Sequence, residues 1–257
     1  MRRLRLMEMA SRTRAEILIA KSLRDASSAA LERFLLVGDA KPPEYAAQAF
    51  ARVLGGVWWR SVKSGARETR RQIGLLDVKA DDLDLWQLFV EEYIQTWGAQ
   101  AIANIMETTR LQIIDAVSIG LRDGKSIATI TMELRETIPA LSRRRAAIIA
   151  RTETHSAAQF ASIQTAKRAP FPLVKTWNSA YDHRTRDFGE ADGRVDQANH
   201  RKMNGVSVAL DEPFQVPNKW GGFDPMQFPG DQSAPVYQVC QCRCALTYRR
   251  AARMIAP

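Results

Sequence analysis

The sequence predicts an α+β protein: a mainly helical N-terminal half with long amphipathic helices, followed by a small α+β C-terminal domain with short strands and long loops. Three observations carry this. Apolar residues recur at helical spacing as far as about Arg168. Only Pro42, Pro43 and Pro139 precede Ala169, whereas the other eight of the 11 prolines follow it. After that point the chain turns to short apolar runs, glycines and turn dipeptides. The 257 residues allow one large domain or two small ones. The boundary falls at Gly124, giving a helical, basic region over 1–124 and a second domain over 125–257.

Taken in order, the first helix is expected over Glu8 to Val37. Ile17, Ala20, Leu23, Ala30, Phe34 and Val37 make its apolar stripe, and Gly38-Asp39 with Pro42-Pro43 stop it. A second helix runs from Glu44 toward Arg71, with Gly55-Gly56 as a weak point. The third is capped by Asp81 and Asp82. Its stripe of Trp86, Phe89, Tyr93 and Trp97 continues through Ile102, Met106, Ile113, Val117 and Leu121 to Asp123-Gly124. Ser126 opens a short helix carrying Ile127, Ile130 and Leu134. Pro139 then separates it from a helix over Leu141 to about Arg168, with Arg143, Arg144 and Arg145 in the first turn. Leu173 to Trp177 reads as a strand, Asn204-Gly205 as a turn into a second at Val206–Val208, and Val236 to Leu246 as the last. The stretch from Pro213 to Pro235 is a long irregular loop.

The 46% apolar content excludes a wholly disordered chain. No apolar run reaches the roughly 18 residues of a membrane span, so no membrane partner is expected. Glu8, Arg12, Arg14 and Glu16 interrupt any secretory core after the basic Met1–Arg5. The net charge of +9 is uneven: Met1 to Arg71 holds 15 basic and 7 acidic residues, a difference of +8. Such a basic half suits nucleic acid, a membrane surface or an acidic protein face. The three cysteines sit together at Cys240, Cys242 and Cys244. An odd count without earlier partners excludes a disulfide framework and fits a reducing compartment.

Three features of the second domain carry chemistry. Ala150-Arg151-Thr152-Glu153-Thr154 lies within a helix, where Arg151 and Glu153 can pair with distant charges. In Trp177 to Arg186, Asp182, Arg184 and Arg186 alternate. If extended they share one face, as an aspartate paired between arginines. Cys240, Cys242 and Cys244 on a strand would likewise face one way, with Arg243 opposite. Convergent thiols are what a Zn2+ site needs, with His200 or His183, and Asp182, as distant partners. The competing reading is reduced cysteines packed as small hydrophobes. No phosphate loop, His-Glu-x-x-His or Gly-x-Ser-x-Gly is present, so no catalytic set emerges.

These residues resemble, in order, the motifs of the phage Mu protein F-like family of head morphogenesis proteins, the minor head or minor capsid proteins of tailed phages. Ala150–Glu153 resembles its helix motif. Lys175-Thr176-Trp177 and Asp182-His183-Arg184-Thr185-Arg186 resemble its Trp and Asp-x-Arg-x-Arg segment. His200 to Asn204-Gly205, Leu210 to Phe214, Phe228-Pro229-Gly230-Asp231 and Cys242-Arg243-Cys244 resemble the later runs. Two departures stand out: Asp187 to Asn199 separate the second arginine from the histidine, and Gln241 replaces an asparagine. The resemblance implies a structural protein, not an enzyme, in the virion head interior, made in the host cytoplasm. It implies the portal, major capsid protein or scaffold as partners, and non-specific contact with packaged DNA. Its motif residues here are Arg151, Glu153, Trp177, Arg184, Arg186, Gly205, Pro229, Gly230, Asp231 and Arg243. His200, Cys242, Cys244 and Asp182 are the candidate Zn2+ ligands. The alternative is a metal-dependent hydrolase or nuclease built on the same Asp/His/Cys cluster.

Overall fold

The computed structural model describes residues 2–75, 82–190, 193 and 195–251, the side chains of 2–11 and 82–83 excepted. Helices α1 (Arg2–Val37), α2 (Glu44–Ile73), α3 (Asp82–Tyr93), α4 (Ala99–Arg122) and α5 (Ile127–Lys167) lead into strands β1 (Leu173–Asn178), β2 (Ser207–Ala209), β3 (Phe214–Pro217) and β4 (Phe223–Met226). A single-turn helix, α6 (Val236–Val239), and β5 (Ala245–Arg250) follow. This is the α+β arrangement expected. Among the described residues no helix is long and apolar enough to cross a membrane.

The chain forms two compact units, each discontinuous in sequence: Met1–Val57 with Ile94–Ala150, and Trp58–Tyr93 with Arg151–Pro257. In the first, Ala15, Ile19, Leu23, Ala26 and Ala30 form the buried face of α1. The expected stripe shared Leu23 and Ala30 but also took in Ile17 and Val37, which are 66% and 68% exposed. A spacing of three and four fits more than one face of a long helix, and packing chooses among them. Gly38, at φ +75°, ends α1, and Gly124, at φ +73°, ends α4. Ile113 and Val117 of α4 and Ile130, Leu134 and Ile138 of α5 share a core with Ala30 and Leu31. Gly120 lets α4 approach closely, since a Cβ there would lie 2.6 Å from Ile130 Cγ1.

Ser126 caps α5 by accepting a hydrogen bond from the Thr129 amide at 3.1 Å. The helix does not break at Pro139 but runs on to Lys167. Within the first unit its buried positions keep one phase across the proline: Ile130, Leu134, Ile138, Ser142, Ala146 and Ala150. That continuous stripe outweighs the roughly 3 kcal/mol a helix-interior proline costs. Arg143 to Arg145 are therefore mid-helix, clear of the N-terminal dipole. Arg145 donates to Thr109 Oγ1, Gln112 Oε1 and the Ile105 carbonyl.

In the second unit Trp86, Phe89 and Tyr93 are buried, as their spacing suggested, whereas the Asp81–Asp82 cap lies outside the described residues. Edge-to-face rings run Trp58–Tyr93–Phe160–Phe228 at centroid separations of 5.6, 5.5 and 6.3 Å. The antiparallel sheet has the order β2-β1-β5 and the hairpin pairs β3 with β4. Leu173, Lys175 and Trp177 point β1 inward. The last strand is shorter than Val236 to Leu246: α6 and a turn occupy 236–244, and only β5 is extended. Its register pairs Asn178 with Ala245 and Trp177 with Leu246, which sets Cys244 beside the end of β1.

Gly65 of α2 meets α5 without space for a side chain, because a Cβ would fall 2.2 Å from the Ala158 carbonyl oxygen. Gly65→Ala is expected to destabilise by about 1–3 kcal/mol in urea unfolding, despite alanine's better helix propensity. Gly55→Ala, whose Cβ meets nothing within 4 Å, is expected to stabilise by up to about 1 kcal/mol.

Candidate metal centre

The site is built where the end of β1, the segment after it and the turn before β5 meet. Asp187 and Asn199 form an isolated antiparallel bridge. The backbone amides of His200 and Arg201 both donate to the Arg186 carbonyl, at 2.9 and 3.0 Å. The extra residues between Asp187 and Asn199 are thus closed off at their base, and His200 follows Arg186 in space. Ser179 Oγ donates to the His200 carbonyl, and Ser179 N donates to Asn204 Oδ1 at 3.0 Å. Gly205, at φ +81°, turns the chain so that its amide reaches the Trp177 carbonyl at 2.8 Å.

His200, Cys242 and Cys244 are 1%, 1% and 2% exposed, and their ligand atoms lie within 4.8 Å of one another. His200 Nδ1 is 3.7 Å from Cys242 Sγ and 3.5 Å from Cys244 Sγ. The other ring nitrogen, Nε2, is 2.8 Å from Gln238 Oε1. Gln238 Nε2 donates to Asp224 Oδ2 at 2.7 Å, and a carboxylate only accepts. The Gln238 oxygen must therefore face the imidazole, so Nε2 carries the proton and Nδ1 turns its lone pair to the thiols. Trp177 packs edge-on to His200 at 5.3 Å.

The two thiols differ in proton affinity. Burial works against a Cys242 thiolate, but the hydrogen bond from Cys244 works the other way, and Cys242 is held below the usual thiol range. Cys244 gives that hydrogen bond and is buried besides, so it is held above.

The thiols are not on a strand. Their convergence comes from a turn pinned by arginines. Arg243 makes a two-pronged pair with Asp182, which holds that carboxyl well below the usual range. Arg186 donates to the Cys240 carbonyl, and Arg151 Nη1 donates to Gln241 Oε1 at 2.8 Å. Gln241 has φ +57°, a left-handed conformation that asparagine adopts more readily. Asp182 itself sits in a turn, not in an extended alternation with Arg184 and Arg186. Its Oδ1 accepts from the Arg184 amide at 3.0 Å. His183 and Arg184 are exposed. The structure thus brings together His200, Cys242 and Cys244, and gives Asp182 to Arg243 instead. Gln238 and Asp224 were not singled out from sequence, where they are ordinary loop residues without motif spacing.

The remaining motif residues hold the surrounding core. Glu153 is buried, and its Oε2 accepts from Trp58 Nε1 at 2.8 Å. Burial raises its pKa against the hydrogen bonds from Trp58, Gln232 and Tyr93. Asp231 accepts from the Gln227 and Ser233 amides at 2.8 and 3.0 Å. Gly230, at φ +83°, lies against His155, leaving no room for a side chain. Lys175 is wholly buried, and its Nζ donates to the Gln227 carbonyl and Oε1 at 3.0 and 2.9 Å.

With this geometry established, residues 111–247 match the model of the family described as "Phage Mu protein F like protein". The chain belongs to the phage Mu protein F-like family of head morphogenesis proteins. It is 29% identical over 154 residues to the "Minor head protein GP7" of Bacillus phage SPP1, covering 57% of this chain and 44% of that protein. It is 24% identical over 156 residues to the "Uncharacterized protein YqbB" of Bacillus subtilis (strain 168), covering 60% and 47%. The chain thus spans less than half the length of these curated relatives. No solved structure matches.

Two outcomes test the buried polar groups. Glu153→Ala strands the buried Trp58 N–H and removes a partner of the buried Tyr93 hydroxyl, and is expected to lower stability by about 2–3 kcal/mol in guanidinium unfolding, whereas Glu153→Gln keeps an acceptor and costs about 1 kcal/mol or less. Burial, and then repulsion from Lys167, bring the Lys175 pKa down from 10.5 to about 8. Between those values the unfolded chain binds more protons than the native one, so this residue's contribution to stability rises with pH. Urea unfolding at pH 7.5 and at pH 10 should show the native chain gaining up to about 3 kcal/mol relative to Lys175→Met.

Proposed function

We propose that this protein is a minor head protein that docks in the head interior at the portal vertex during procapsid assembly. On this reading residues 1–124 are the docking region and residues 125–257 the family module. The single observation that carries the structural role is how the motif residues are spent. Asp182, Arg151, Arg186 and Arg243 fasten the cysteine turn, Glu153 ties buried donors, and Asp231 closes a backbone turn. These are the contacts of a rigid body, not of a substrate cleft. The runner-up, a metal-dependent hydrolase or nuclease, needs an available carboxylate and an open metal position. Asp182 is held by Arg243 and the Cys/His group is buried, so we keep the structural reading.

Docking is supported by the helices of the first unit, which within residues 1–124 leave Ile17, Leu36, Leu111 and Leu121 exposed. Apolar anchors on a helix face are what a groove in a partner receives. The +8 excess from Met1 through Arg71 supports contact with packaged DNA through phosphates, sequence-independent and weakening steeply with salt. Assembly would take place in the host cytoplasm, with portal, major capsid protein or scaffold as partners.

The full chain is expected to co-purify with the portal protein of its own phage at moderate ionic strength, and Leu36→Asp with Leu121→Asp to reduce retention at least tenfold. Absence of retention of the folded native chain by portal, capsid and scaffold alike would overturn the reading.

A further inference from the structure

We propose that Cys242, Cys244 and His200 bind one Zn2+ ion. The inference goes beyond the head role and does not depend on it.

Ligand spacing is the first support. Zinc–sulfur and zinc–nitrogen bonds of about 2.3 and 2.0–2.1 Å at tetrahedral angles put sulfur and nitrogen about 3.6 Å apart. The two distances from His200 Nδ1 are 3.5 and 3.7 Å. An imidazole with its remote nitrogen donating to a side-chain oxygen, itself anchored by a carboxylate, is the arrangement that orients a metal-bound histidine. Here Gln238 and Asp224 supply it. Nδ1 is thereby committed as an acceptor, although thiols are weak donors.

The surroundings suit thiolates. The Trp177 indole N–H is buried and makes no geometrically sound hydrogen bond. Its side chain interacts with Cys244, where a metal-bound sulfur, an acceptor, would meet it. Arg243, between the two cysteines, is turned away to Asp182, so its charge is neutralised outside the group. Two thiolates against one Zn2+ leave a neutral centre, which burial tolerates. Adding Asp182 would make it anionic and strip Arg243 of its partner.

His183 is exposed, and Cys240 and His155 fall outside the group. Two sulfurs and a nitrogen in a buried site select zinc over magnesium or calcium, which take oxygen. On binding, the protons still held by the thiols leave to solvent.

The test uses the full chain, stripped with a chelator and titrated with Co2+, then Zn2+. One Co2+ per chain is expected, with the sulfur-to-cobalt charge-transfer band and d–d bands of a tetrahedral thiolate site, displaced by one Zn2+. Cys242→Ser and Cys244→Ser should each lose at least half of the charge-transfer intensity. Cys240→Ser and His183→Ala should keep it. Gln238→Leu should weaken Co2+ binding about 10–100-fold. A folded native chain that takes up no Co2+, or shows no charge-transfer band, overturns the proposal whether or not the serine variants fold. So does a band that survives Cys242→Ser unchanged.

Discussion

Burying the His200 imidazole commits both of its nitrogens, and the arrangement of the C-terminal region follows from how each is satisfied. A ring with 1% exposure cannot rely on water. One nitrogen is tied through Gln238 to Asp224 and the other looks at two thiols. Each tie draws in a different stretch of chain: the β4 strand, the short α6 and the turn before β5. A two-sheet module of short strands has little apolar surface to offer. Fixed polar contacts therefore do much of the positioning, because a buried polar group without a partner costs more than an apolar one.

The same logic explains why so many arginines belong to the motif. A turn carrying two cysteines one residue apart has no intrinsic reason to aim both thiols one way. Arg186 holds the Cys240 carbonyl, Arg151 holds Gln241, and Arg243 is drawn outward by Asp182. With the residue between the cysteines pulled to one side, its neighbours on the chain are turned to the other. Glu153 works two residues further along the Arg151 helix, on a separate set of donors. The helix motif thus serves the cysteine turn through Arg151 and the helical core through Glu153.

Much of the helical organisation was legible. Stops at Gly38 and Gly124 and the cap at Ser126 rest on local backbone chemistry, and each is where the residue type required it. The buried run of Trp86, Phe89 and Tyr93 follows from spacing alone. The failures share a cause. Pro139 looked like a boundary because a proline removes one helical hydrogen bond, but the stripe from Ile130 to Ala150 holds the helix together across it. Alternation at Asp182–Arg186 and Cys240–Cys244 looked extended because a period of two is the signature of a strand. Turns stabilised by distant side chains produce the same convergence without one.

What the sequence by itself determined was the class of fold, the helix ends, the family through its ordered motifs, and the short list of candidate metal ligands. These depend on residue type and on neighbours a few positions away. Only the tertiary structure decided which histidine meets the cysteines, that Asp182 belongs to Arg243, and that Gln238 and Asp224 fix the imidazole. Those pairings join residues 14 to 61 positions apart in the chain, and such separation carries no trace of contact until strand register and bridge closure bring the segments together.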